Sequence, residues 1–409
     1  MVHTQGQYIL LNTISGAVVN LTPEEYSSFI GQSSHSLEDK QLSILQECGM
    51  LLENNIDETA LLRRSYWKSK FSNELIRIAI CPTLDCNFAC SYCYEQRRSG
   101  IMNETIQQAV LDLIRQKLQM GPKVFSLCWY GGEPLLCPEI IDRLSMKIRE
   151  LCQVYGTDYK CTMISNGYLL TEQNVAILKR IGCSSVQITV DGPPSIHDRR
   201  RHLRNGTGTF ARIFQGIQLL NDNGFLVRVR VNLDKENFFC YQQVIELFSS
   251  MDNVTCYPAP VTAEKTQTQV QRNRCFTHQE YSSFYSDVVD PQTMIDAFER
   301  SFQNPTFTCM AENDHSFVID PSGYLYKCMN DVGQRQFAVG SVTDDSVCGI
   351  ASIGKYLGRD PFQEPECSEC LFLPLCYGRC VWEYCDKGTH ACPAIKFCVQ
   401  KCLESEVSQ

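Results

Sequence analysis

From about residue 75 to residue 300 the chain repeats one pattern six times, a β-branched apolar run followed by a helical stretch, and no other feature limits the fold as much. The runs are "IRIAICP" (76 to 82), "KVFSLCWYGG" (123 to 132), "YKCTMISNG" (159 to 167), "SVQITVDG" (185 to 192), "FLVRVRVNL" (225 to 233) and "NVTCYPAPV" (253 to 261). Helical periodicity fills the gaps, as in "NETIQQAVLDLIRQKLQM" and in "TFARIFQGIQLLNDNG", which closes on a glycine. Strands joined through helices lie parallel, so the expectation is an α/β fold whose sheet curls into a partial (β/α)6 barrel. Ligands of such sheets gather at the C-terminal ends of the strands. The stretches "CNFACSYC", "GGEP", "SNG" and "TVDG" all fall there, which predicts that they meet in space.

The flanks read differently. In residues 1–70, "YILLNTISGAVVNL" is a hairpin turning at Ser15 and Gly16, and "TPEEY" opens a helix with Thr22 as N-cap and Glu25 closing a capping box. A second helix is expected from Ser36 to about Gly49. This small winged-helix-like module would either dock a peptide strand on its edge or cap the next domain. After a domain spanning 71–300, residues 301–409 lose the alternation and carry cysteines at 309, 328, 367, 370, 376, 380, 385, 392, 398 and 402. A loop-rich segment of that kind needs more than an apolar core to hold it, and metal clusters supply it.

With 24 cysteines, a net charge of −9 and no export signal or long apolar run, the chain reads as cytoplasmic and offers no surface for nucleic acid or membrane. The cytosol keeps thiols reduced, so clustered cysteines point to metal rather than disulfides. Cysteines set singly in apolar patterns, such as Cys128, Cys152, Cys161 and Cys183, read as core.

Cys86, Cys90 and Cys93 follow a strand directly. A structural zinc wants four ligands and so does a [4Fe–4S] cluster that only carries electrons, but three cysteines leave one iron open to an external chelate. With Tyr92 before the last cysteine, "YGGEP" at the next strand end and "TVDG" at a later one, residues 76 to 300 resemble the radical S-adenosylmethionine (radical SAM) superfamily. The resemblance implies S-adenosylmethionine as cofactor, reductively cleaved to a 5′-deoxyadenosyl radical that abstracts hydrogen from a substrate. It also implies that backbone at Tyr92 meets the adenine and that Thr189 and Arg201 hold the methionyl carboxylate, for which an arginine is a charge-assisted partner. Gly131 and Gly132 would let backbone approach the ligand, and Glu133 would face its amino group. Asn166 and Asp191 line the ribose or cap helices, and His197 is structural. No Ser/His/Asp triad is found and no catalytic side chain is named.

The array "CSECLFLPLCYGRC" with the later Cys398 resembles the SPASM extension of such enzymes, which holds auxiliary clusters. Carried over, Cys367, Cys370, Cys376 and Cys398 would hold one cluster, and Cys309, Cys328 and Cys380 another, making three [4Fe–4S] clusters in all. In "ERSFQNPTFTC" no further cysteine precedes Cys309, so either Cys275 or Cys256 closes that site or an open iron remains. The family combination implies a ribosomally synthesised precursor peptide as partner, a low-potential electron donor (flavodoxin or ferredoxin), and a thioether or carbon–carbon crosslink as product. Sulfatase-maturing enzymes share this layout but place an aspartate after the cysteine matching Cys328, where this chain has Met329 with Asp331 nearby. An iron–sulfur electron carrier or a zinc-stabilised scaffold would leave Tyr92, "GGEP" and "TVDG" without a purpose.

Overall fold

The computed structural model describes residues 1–4, 6–31, 37–95, 98–262, 269–289, 294 and 309–407. Two compact units form, one from residues 1–69, 278–309 and 360–409, the other from residues 70–277 and 310–359. Residues 301–409, expected as one region, are therefore shared between the units.

In the first unit β1 (Val2–Thr4), β2 (Gln7–Leu11) and β3 (Val18–Leu21) make an antiparallel meander in that order. The turn between β2 and β3 runs through Gly16 at φ +79°, and the capping box forms as read, with Glu25 N–H donating to Thr22 Oγ1 at 3.2 Å and Thr22 N–H to the Glu25 carboxylate at 2.8 Å. The next helix spans Asp39–Glu47 and ends before Gly49, whose φ is +72°; its expected start at Ser36 lies outside the described residues. A third helix, Glu58–Phe71, carries too weak an amphipathic pattern to stand out in the sequence. The helix Ile395–Val407 buries Leu403 with Val2 and Ile9 of the meander, while Tyr66 stacks on Tyr377 at 5.6 Å beside Phe362.

The second unit is the partial barrel. Strands β4 (Leu75–Ile80), β5 (Val124–Trp129), β6 (Asp158–Ser165), β7 (Cys183–Thr189), β8 (Leu226–Leu233) and β9 (Val254–Pro260) are parallel neighbours in chain order. Residues Ile76, Ile78, Ala79 and Ile80 of β4 are all fully buried, as expected of a strand covered on both faces. The helix Glu104–Gln119 lays Ile106, Val110, Ile114 and Leu118 against the sheet and is capped by Asn103, which accepts from Ile106 N–H at 2.9 Å. Cys152, Cys161 and Cys183 are buried core residues, and Cys128 packs half-buried beside a core cluster.

Residues 310–359 extend this sheet beyond β4. Strand β10 (Phe317–Ile319) pairs parallel with β4, and β11 (Tyr324–Tyr326) and β12 (Gly340–Ser341) continue antiparallel. The extension is pinned by a buried cation. Lys327 donates to the carbonyls of Asn313 (2.5 Å) and Ser316 (2.9 Å) and lies 4.5 Å from the centre of the Phe317 ring, which compensates the loss of its hydration.

Candidate active site and cysteine clusters

The C-terminal ends of the parallel strands open on a cavity of about 560 Å³ lined by Cys86, Cys90 and Cys93, by Tyr92, and by residues from every strand end between β5 and β9. That volume lies within the range of about 300–1,000 Å³ in which proteins hold ligands of nucleotide size. The motifs scattered over the sequence do meet here. Gly131, Gly132, Asn166, Thr189 and Arg201 all contribute to the wall.

The cysteine loop is held from the side by the segment 200–204. Ala89 N–H donates to His202 O at 2.8 Å, Ser91 N–H to Arg200 O at 3.1 Å and Arg204 N–H to Asn87 O at 3.2 Å, and Arg204 pairs with Asp85. Burial pushes the Cys86 thiol up to about 12, with Glu133 and the two neighbouring cysteines adding to the rise. At neutral pH the free thiol therefore keeps its proton, and binding of iron to the sulfur would displace that proton to solvent.

Gly131 and Gly132 owe their small size to this loop. A Cβ on Gly131, at φ +117°, would lie 2.3 Å from Thr83 O, and one on Gly132 would lie 2.3 Å from Asp85 O. The chain leading into Cys86 could not come so close to any larger residue. Glu133 is fully buried and does not line the cavity. Its carboxylate accepts from Leu135 N–H at 3.0 Å, Ser165 Oγ at 2.8 Å and Asn166 N–H at 2.7 Å, so it ties the end of β5 to the end of β6 rather than facing a ligand.

Arg201 is 8% exposed, donates from Nη1 to Tyr92 OH at 2.9 Å, and leaves its Nε without a hydrogen-bond partner among the described residues. A buried donor left unpaired costs about 1–3 kcal/mol, so this one suits an anionic acceptor in the cavity. A relay behind it fixes its position. Asp191 N–H donates to His197 Nδ1 at 3.3 Å, which leaves the proton of a neutral ring on Nε2, 3.1 Å from Thr209 Oγ1, and Thr209 in turn donates to Arg201 O at 2.5 Å. Burial, with Arg201 and Arg200 adjacent, drives the His197 pKa well below the usual imidazole value. Asp191 lies behind the wall with Arg200, 3.2 Å from its Nε, whereas Asn166 faces the cavity and donates to Asn87 Oδ1 at 2.8 Å.

Several wall residues were missed in the sequence. Gln187, Arg230 and Asn232 line the cavity from β7 and β8, and Asn232 donates to Tyr92 OH at 3.1 Å. Their signal was present as polar residues alternating into otherwise apolar strands. Tyr94 and Tyr130, which share a hydrogen bond of 2.7 Å, also line the cavity, as do Met329 and Asn330. Asp331 is buried, accepts from Tyr356 OH at 2.6 Å and does not line the cavity.

In the first unit a much tighter hollow, about 40 Å³, is lined by Cys367, Cys370 and Cys376 together with Cys392, His390 and Lys396. Cys398 does not line it. Cys380 caps the helix Val381–Lys387, its Sγ accepting from Glu383 N–H at 3.4 Å. Cys309 is exposed and, like Cys380, belongs to the first unit, whereas Cys328 belongs to the second and precedes the short turn Met329–Asp331. Residues 299–308, the stretch that precedes Cys309, lie outside the described residues. Cys256 turns its sulfur to Val244 O at 3.9 Å, under a helix.

Residues 80–248 match the sequence profile of the Radical SAM superfamily. A serine-type anaerobic sulfatase-maturating enzyme of Bacteroides thetaiotaomicron is 22% identical over 336 residues, 72% of this chain and 80% of that protein. An uncharacterized protein of Synechocystis is 28% identical over 218 residues, and the match spans 51% of this chain and 53% of that relative. Among solved structures, anSMEcpe with bound AdoMet and Cp18Cys peptide superposes with a TM-score of 0.62 at 17% identity over 82% of this chain and 99% of that one. Streptococcus suis SuiB bound to precursor peptide SuiA superposes with a TM-score of 0.54 at 16% identity over 91% and 92% of the two chains. Likeness at such identities carries the fold.

Proposed function

The chain carries a radical SAM domain over residues 80–248, and from that premise we propose an enzyme that uses S-adenosylmethionine to modify a ribosomally made precursor peptide, forming a thioether or carbon–carbon crosslink at an unactivated C–H bond. One observation carries the reading: three thiols share one nucleotide-sized cavity with a buried arginine whose Nε has no hydrogen-bond partner among the described residues. The donor set fits the groups. Three thiolates suit a [4Fe–4S] cluster with one open iron, and a guanidinium in a dry wall suits the methionyl carboxylate. When bound, the pair supplies a one-electron cleavage that leaves a hydrogen-abstracting carbon radical.

The chain's own residues bind, orient and exclude water. Cys86, Cys90 and Cys93 hold the cluster on a loop braced by residues 200–204. Arg201 and Thr189 take the carboxylate, with His197 and Thr209 fixing the arginine, while Tyr92 and Asn166 line the nucleoside. Gly131 and Gly132 keep the loop seated, and Glu133 ties the ends of β5 and β6 together behind the wall. Tyr94, Tyr130 and Met329 add aromatic and thioether surface to the cavity wall, which would help to exclude water from a reactive centre. The cysteines of residues 301–409 are read as ligands of auxiliary clusters, giving three in all, fed by a flavodoxin or ferredoxin in the cytoplasm.

A peptide partner is supported by the named partners of the similar structures, SuiA and the Cp18Cys peptide. The meander offers a place for the leader, since β3 is one of its two edge strands and could accept an extended peptide. Sulfatase maturation is the second reading, favoured by the likeness to the Bacteroides enzyme. Against it stand Met329 after Cys328 and the engagement of Asp331 with Tyr356.

The test is anaerobic. Reconstituted, dithionite-reduced protein should convert S-adenosylmethionine to 5′-deoxyadenosine, and addition of a cysteine-bearing precursor peptide should give a crosslinked product by mass spectrometry. Formylglycine on a sulfatase peptide would favour the second reading, and no 5′-deoxyadenosine with full iron loading would end both.

A further inference from the structure

We propose that Cys392, rather than Cys398, is the fourth thiolate beside Cys367, Cys370 and Cys376, an assignment that rests on reading the C-terminal cysteines as iron–sulfur ligands. The four sulfur-bearing residues line one hollow of about 40 Å³. The chain is bent to bring Cys392 there, with its N–H donating to His390 O at 2.9 Å. Its sulfur accepts from Lys396 Nζ at 3.8 Å, a cation placed to stabilise a thiolate. The set fits the group, since a cubane that exchanges no ligand takes four cysteines.

Cys398 is placed for another role. It sits within the helix Ile395–Val407, is 2% exposed, and its thiol donates to Ala394 O at 3.2 Å. One helical turn later Cys402 is equally buried, and both pack with Val289 and Met294. Together they fill a core as small apolar side chains do. Spacing along the chain cannot separate the two candidates, because Cys392 precedes the helix and Cys398 lies inside it on a covered face.

A second chemistry shares the hollow and must be distinguished. Glu364, Cys367 and His390 place one ligand atom each within 4.8 Å of one another, and His390 Nδ1 is 3.4 Å from Cys367 Sγ, a set that would suit a single zinc.

The experiment uses the full chain carrying Cys86→Ala, Cys90→Ala and Cys93→Ala, so that only auxiliary iron is counted after anaerobic reconstitution. Adding Cys392→Ala should remove about four irons and four sulfides per chain, one cluster's worth, while adding Cys398→Ala should remove none. Iron lost with Cys398→Ala but kept with Cys392→Ala overturns the assignment, as does iron kept in both. Zinc without sulfide, released by His390→Ala, overturns instead the cluster reading on which it rests. Should the Cys392 variant fail to fold, brief alkylation of the unmutated protein decides by mass spectrometry. Cys392 should be labelled before reconstitution and protected after it, with Cys398 unlabelled in both; Cys392 labelled equally in both states overturns the proposal.

Discussion

The two cysteine-lined cavities differ in what they leave unfinished. The strand-end cavity has three thiols, about 560 Å³ of room and a buried guanidinium whose Nε has no hydrogen-bond partner among the described residues. The hollow of the first unit has four thiols, about 40 Å³ and a lysine already turned to one sulfur. A site with spare coordination and spare volume exchanges ligands and does chemistry, whereas one whose donors are complete and whose space is filled by its metal stores or passes electrons. The distinction rests on donor count and space, not on the number of cysteines in the chain.

The largest expected effect tests that division directly. Replacing Cys86, Cys90 and Cys93 by alanine should abolish 5′-deoxyadenosine formation, a fall of at least a thousandfold against about 4 kcal/mol of lost stabilisation, whereas Cys370→Ala should leave cleavage in place and stop product formation. Equal loss in both variants would erase the distinction. Next comes Gly132→Ala, whose Cβ would stand 2.3 Å from Asp85 O. Overpacking of this kind costs about 1–3 kcal/mol, and here the strain falls on the chain entering Cys86, so iron retention at the triplet should drop in step with the melting temperature.

Arg201→Gln should weaken S-adenosylmethionine binding by roughly 10- to 150-fold, the worth of a charged hydrogen bond, with Arg201→Lys recovering part of it. Equilibrium dialysis measures this, and unchanged affinity would remove Arg201 from the site. The smallest effect is a pH slope. The folded pKa of His197 is depressed below 6.5, so as pH falls through that value the unfolded chain takes up a proton that the folded one refuses. Stability should decline below pH 6.5 by up to about 1.4 kcal/mol per pH unit, and His197→Asn should flatten that part of the urea-denaturation profile.

Much of this was legible because strands and motifs are local. The six runs became β4 to β9, and their ends carried the cysteines, "GGEP" and "TVDG" to one cavity. What escaped depended on partners far along the chain. Glu133 has the sequence context of a ligand residue, yet its carboxylate is claimed by Ser165 and Asn166, about thirty residues later. No periodicity in residues 310–359 announces that β10 will pair with β4, since its three residues are too short to read. Arg201 was legible by type, but the relay through His197 and Thr209 that fixes it was not.

The pairing of β4 with β10 also sets a schedule. Ile78 waits for Phe317, and at a synthesis rate of roughly 5–20 residues per second that interval lasts on the order of 10 to 50 seconds. During it the strand that delivers Cys86 has one bare flank, and the thiols beyond it stand open to oxygen and stray metal on the ribosome. Cells that make this protein therefore gain from loading iron late, after translation has passed the turn of residues 320–323 that follows β10.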